Sequence, residues 1–179
     1  MTDEALLDRM ALPRPDVTAS EAADILLTHY GLSGTLSELG SQQDRNYRLD
    51  TEDGRYVLKI CHAAYETQEL EAQNAALHHL RAKADAPRVP NVMASTEGHE
   101  IVPVSVREQD YQVRLLEFLE GDGLTHRAYL APASVAALGA LCARLAAALA
   151  DFTHPGLDRS LQWDLRRAGP VAVQLLSSI

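Results

Sequence analysis

Residues 35–60 cannot form one long element. Three short runs, "TLSEL", "NYRLDT" and "RYVLKI", are separated by "GSQQDR" and "EDG", two clusters of turn-forming residues. Short strands joined by short turns make an antiparallel meander, with Gly54 expected to supply a positive φ in the second turn. A helix-like segment follows over residues 66–83, with Leu70, Leu77 and Leu80 near one face and Asn74 between them. "DAPRVPNV" ends it, because two prolines so close together cannot continue a helix. "NVMAST", "EIVPVSV" and "YQVRLLEFLEG" supply further strands, divided by the turns "EGH" and "REQD". The last is the most apolar and is expected near the middle of the sheet. Gly121 and Gly123 break the chain, after which residues 132–151 and 161 onward read as helices. Upstream, Thr18 and Glu21 fit a capping box, Ile25, Leu26 and Tyr30 form an apolar stripe, and Gly31 stands at the C-cap position. The layout is α+β: an antiparallel sheet of about five strands flanked by one helix, leading into a helical region.

Composition narrows the function classes. A net charge of −9 over 179 residues argues against a general nucleic-acid binder, although it leaves room for one local anion site. The two cysteines, Cys61 and Cys142, are far apart and suggest neither a disulfide framework nor a zinc site. The acidic start "MTDEALLDRM" is not a signal peptide, and a cytoplasmic protein is expected. Residues 131–150 are nearly all apolar but alanine-dominated, and Arg144 would cost at least ~2.5 kcal/mol inside a bilayer. They read as a helix buried on most of its surface, not as a membrane span.

Lys59 is the residue that asks for an explanation. Val57 and Lys59 share one face of their strand, and Tyr56, Leu58 and Ile60 share the other. Alone, such a lysine reads as an edge-strand charge that blocks aggregation. A lysine closing a third strand also matches the V-A-I-K arrangement of protein kinases, in which it pairs with nucleotide phosphates and with a glutamate of the next helix. Glu71, 12 residues on and beside the apolar stripe, is the candidate for that glutamate, with Glu66 and Glu69 expected to be solvated. The turn containing Gly40 lacks a G-x-G-x-x-G pattern. "RLLEFLEGDG" reads equally as a core strand with a loop or as a hinge between lobes. The order of these features is that of a kinase N-terminal lobe: turn, lysine strand, glutamate helix, strands, hinge, helix.

The segments "GSQQDRNYRL", "GRYVLKI", "ELEAQNAALHHL", "RVPNV", "RLLEFLEG" and "LGALCARLAAALADFTHPGLDRSLQWDLRRA" resemble the aminoglycoside phosphotransferase and choline kinase superfamily. "FTHPGL" and "QWDLRRA" look most like the hydroxylysine kinase branch and the phosphotransferase-like domains fused to class III aminotransferases. The resemblance implies a helical lead-in over residues 1–31, a kinase-like N-lobe over 32–119, and a hinge with the first helices of a C-lobe over 120–179. It implies that Lys59 orients ATP phosphates, that Glu71 or else Glu69 holds Lys59, and that Ser41 and the Gly40 turn cover the phosphates. Val57 would roof the adenine, and Glu117 and Leu119 would offer backbone groups at the hinge.

The family's H-G-D-x-x-x-x-N loop and D-x-D metal site do not occur in these residues, and Asp151, Asp158 and Asp164 lack that context. The expectation is therefore the nucleotide-side half of an ATP- and Mg2+-dependent phosphotransferase for an amino alcohol, hydroxylated amino acid or aminoglycoside. By that expectation the chain is an N-terminal fragment, without catalytic or metal-binding residues of its own, inactive alone and poor in ATP affinity. An apolar helical end exposed by truncation would favour a dimer. The other reading is a non-catalytic scaffold or regulatory domain of a multidomain protein such as an aminotransferase fusion.

Overall fold

A computed structural model describes residues 13–41, 43–62, 64–124, 129–158 and 168–177. Helix α1 (Ala19–Tyr30) begins at Thr18, whose hydroxyl accepts from the Glu21 N–H while the Glu21 carboxylate accepts from the Thr18 N–H. The capping box therefore forms as read. Gly31 ends the helix at φ 64°, a left-handed conformation that costs glycine nothing.

Strands β1 (Thr35–Leu39), β2 (Arg45–Asp50) and β3 (Arg55–His62) form the expected antiparallel meander. The β2–β3 turn does not use a positive φ at Gly54. Thr51 closes it instead: its hydroxyl donates to the Gly54 carbonyl at 2.8 Å and accepts the Gly54 N–H at 3.0 Å. Helix α2 (Thr67–Arg81) is followed by β4 (Val92–Met93), β5 (Val102–Val106) and β6 (Gln109–Glu117). The sheet thus has six strands rather than about five, because β4 and β5 pair with successive parts of the same edge of β6. The other edge of β6 pairs with β3, so this apolar strand lies inside the sheet as its sequence suggests. The β5–β6 turn places Arg107 and Glu108 at φ 50° and 64°, without a glycine.

The two faces of the sheet are covered differently. Leu49, Leu58, Ile60, Val113 and Leu115 point to α1, where Val17, Ala22, Ile25 and Leu26 complete the main core. The opposite face carries a smaller cluster of Cys61, Tyr65 and Leu70, the last from α2. Glu69 is not solvated as expected; it is 4% exposed. Helix α3 (Pro132–Ala148) differs more, because none of its residues is buried and Val135, Leu138, Leu141 and Leu145 are exposed. Among the described residues no helix is long and apolar enough to cross a membrane. A last helix, α4, covers Ala168–Ser177, and the expected helix start at residues 161–167 lies outside the described residues.

After α3 the chain makes a 3-10 turn over Pro155–Leu157 that packs against α2. Gly156 is the point of closest approach. A Cβ there would lie 1.9 Å from the Gln68 carbonyl oxygen, a backbone atom that cannot swing aside. Gly156→Ala is therefore expected to lower the unfolding free energy by about 1–3 kcal/mol, the usual cost of overpacking. Urea denaturation measures it, and an unchanged midpoint would mean that this turn does not brace α2.

Candidate phosphate-binding site

The site is built from strand register. In β3, Leu58 and Ile60 enter the main core, so Val57, Lys59 and Cys61 emerge on the α2 face. Antiparallel pairing sets Asn46 of β2 and Arg114 of β6 directly opposite Lys59, on the same face. It sets Arg48 and Leu116 opposite Val57 in the same way. Two rows result: Asn46–Lys59–Arg114, and Arg48–Val57–Leu116.

Lys59 is 20% exposed and held at two points. Its ammonium lies 2.8 Å from Asp44 Oδ2 and donates to Asn46 Oδ1 at 3.2 Å. Asp44 sits at the end of the β1–β2 turn, the same turn that contains Gly40 and Ser41. Gly40 is exposed with open space around it, and Ser41 is half-buried. The turn is anchored where Tyr65 donates its hydroxyl to Gln43 Oε1 at 2.6 Å.

Arg114 is 2% exposed and reaches the other way, into α2. It donates to Gln73 Oε1 at 2.6 Å, to Asn74 Oδ1 at 2.7 Å and to the Leu70 carbonyl at 3.4 Å. The helix is thus tied to the lysine strand through an arginine and two amide side chains.

Glu71 is not part of this arrangement. It is exposed and lines a separate cleft of about 500 Å³ with Thr67, Asn74, His78, Glu100 and His154. Among the described residues no ion pair joins Glu71 to Lys59. Helical phase gives the reason: at 3.6 residues per turn Glu71 projects about 200° away from Glu69. Glu71 therefore falls in line with Ala75 and His78, whereas Glu69 falls in line with Gln73 and Leu80.

At the expected hinge, Glu117 has a role besides any backbone contact. Its carboxylate accepts from Arg88 at 2.6 Å and from the Asn91 side-chain amide and N–H at 2.7 and 3.1 Å. The Arg88 hydrogen bond, reinforced by Asn91, holds its carboxyl below the usual range. The Glu117 N–H donates to the Asn91 carbonyl and the Phe118 N–H to that of Arg55. Leu119 follows, half-buried, and the Arg48 guanidinium lies 5.6 Å from the Phe118 ring centre. Among the described residues there is no group of three or more histidine, cysteine or acidic side chains suited to a metal ion.

Sequence reading misses Asp44, Asn46 and Arg114. Asn46 is within its reach. Once the β2–β3 hairpin pairs Asp50 with Arg55, counting back four residues from Asp50 and forward four from Arg55 brings Asn46 opposite Lys59.

The chain belongs to the phosphotransferase enzyme family, whose profile matches residues 35–178. No curated protein matches it significantly. Among solved structures it is similar to a microcompartment-associated aminopropanol kinase, at 23% identity and TM-score 0.65, over 84% of this chain and 46% of that one. It is similar also to an amicoumacin kinase in complex with AMP-PNP, Ca2+ and Ami, at 16% identity and TM-score 0.63, over 93% of this chain and 48% of that one. A thermostable aminoglycoside phosphotransferase mutant in its apo form aligns at 18% identity and TM-score 0.51, over 72% of this chain and 39% of that one. These likenesses show the fold, that of a kinase-like N-terminal lobe, and the chain spans about half the length of the first two structures.

Cys61 offers a check on how dry this face is. Burial, with the Asp44 charge adding to it, pushes its thiol up to about 12, and burial does the same to Tyr30. Unfolded, these groups ionise near ~8.5 and ~10. The folded state therefore keeps protons that the unfolded state releases, and stability falls as pH rises above about 8.5. Between pH 7.5 and 9.5 Cys61 should account for a loss of about 1.4 kcal/mol. Cys61→Ala should abolish that share of the loss in urea titrations at the two pH values. Equal alkaline losses in both proteins would show that the thiol is not sealed.

Proposed function

We propose that this chain forms the nucleotide-side lobe of an ATP-dependent phosphotransferase acting on a hydroxyl group of a small molecule, an amino alcohol, hydroxylated amino acid or aminoglycoside. One observation carries the reading: a part-buried lysine ammonium, pre-oriented by Asp44 and Asn46, on an open sheet face beside half-buried Val57 and Leu116. A desolvated ammonium with fixed partners is suited to binding phosphate oxygens, and an apolar strip one row away is suited to a purine ring. ATP, when bound, would supply the γ-phosphoryl group. Lys59 would take phosphate oxygens, the Gly40–Ser41 turn would cover them, Val57 would lie against the base, and backbone groups at Glu117 and Leu119 would meet its edge. Family membership supports the reaction class, and the aminopropanol kinase and amicoumacin kinase likenesses support the fold that presents the site.

A second reading, a nucleotide-free scaffold with the same fold, is favoured by the carboxylate already seated on Lys59. Isothermal titration with MgATP separates the two. The proposal expects saturable binding that weakens about 10- to 100-fold in Lys59→Ala, the value of a charge-assisted contact to phosphate. Binding indifferent to Lys59, or none at all, would favour the scaffold.

A further inference from the structure

We propose that Asp44 of the β1–β2 turn is the positioning residue of Lys59, taking the part that a helix carboxylate plays in protein kinases. The inference rests on the nucleotide reading above and names a residue within it. Lysine has three N–H donors and no planar fork, so its direction is set by whatever accepts them. Here Asp44 Oδ2 and Asn46 Oδ1 accept, at 2.8 and 3.2 Å, which leaves a third N–H for a phosphate oxygen. Asn46 is fixed by strand pairing, directly opposite Lys59.

Asp44 is fixed by its neighbours in sequence. Gln43 accepts from the Tyr65 hydroxyl at 2.6 Å, and the Tyr65 carbonyl in turn accepts from Gln112 at 2.9 Å. On the other side, Arg45 donates to the Pro15 carbonyl at 3.1 Å and to Glu38 at 2.5 Å. The carboxylate between them is therefore held in place and does not belong to a free loop tip. On the α2 side the position next to Lys59 is taken by a second cation, Arg114, which binds the helix through Gln73 and Asn74. Glu71 faces the separate cleft. The turn side is where Lys59 finds its balancing charge.

The test compares Asp44→Asn and Asp44→Glu with the unaltered chain, using MgATP and adenosine as titrants. Asp44→Asn should weaken MgATP about tenfold and leave adenosine unchanged, since only the phosphate contact passes through Lys59. Asp44→Glu should recover most of the loss. In nucleotide-free protein at fixed pH, an amine-reactive reagent followed by peptide mapping should label Lys59 several-fold faster in Asp44→Asn. MgATP affinity that is unchanged or tighter in Asp44→Asn would overturn the assignment, tighter binding marking Asp44 as a competitor of phosphate. A loss confined to Glu71→Gln would overturn it in favour of the helix. If the unaltered chain binds no MgATP, the nucleotide reading fails. The labelling ratio then decides alone: a several-fold rise upholds Asp44 as the residue that holds Lys59, and an unchanged rate overturns it.

Discussion

The pairing of β3 with a partner strand on each side fixes everything of interest in this chain. Because side chains alternate along a strand, one register error would turn Lys59 into the α1 core and bring Leu58 to the open face. The register is secured at both ends. Thr51 closes the β2–β3 turn through its hydroxyl, and Val113 and Leu115 of β6 join Leu58 and Ile60 in the main core. A strand buried so firmly on one face can carry a charge on the other.

That charge is managed locally. The chain bears a net −9, yet the α2 face of the sheet presents Arg48, Lys59 and Arg114 on three adjacent strands. Asp50 accepts from Arg48, Asp44 pairs with Lys59, and the amide side chains of α2 receive Arg114. Long-range attraction would therefore contribute little to binding an anion on this face. Under the proposed reading, selectivity for a phosphate would come from a part-buried, oriented ammonium, which is a short-range property.

Much of this is legible in the sequence, and the failures have physical causes. Thr18, Glu21 and Gly31 bound α1 as their chemistry requires, and the strand runs from Thr35 to Ile60 fold as read. A positive φ at Gly54 is the usual glycine solution to a tight turn, but the hydroxyl of Thr51 supplies another. Spacing along the chain favours Glu71 over Glu69 as the partner of Lys59, whereas helical phase is what decides, and phase puts Glu69 on the buried side. Asn46 can be found by counting hairpin register. Arg114 cannot, because no local turn sets the β3–β6 pairing and its partner lies 55 positions away in sequence.

Helix α2 is coupled to the site differently from its counterpart in protein kinases. There a lysine–glutamate bridge makes the helix and the phosphate lysine one unit. Among the described residues the helix is tied to the strand beside Lys59 through Arg114, while Lys59 pairs with Asp44 of the β1–β2 turn. The hydrogen bonds described from Arg114 to α2 end on two amide side chains and a backbone carbonyl. The position of α2 is set instead by shape: Gly156 seats the turn after α3 against Gln68, and Leu70 packs against Cys61. Movement of the helical region would therefore reach Lys59 through packing on α2, whereas movement of the β1–β2 turn would reach it directly through Asp44.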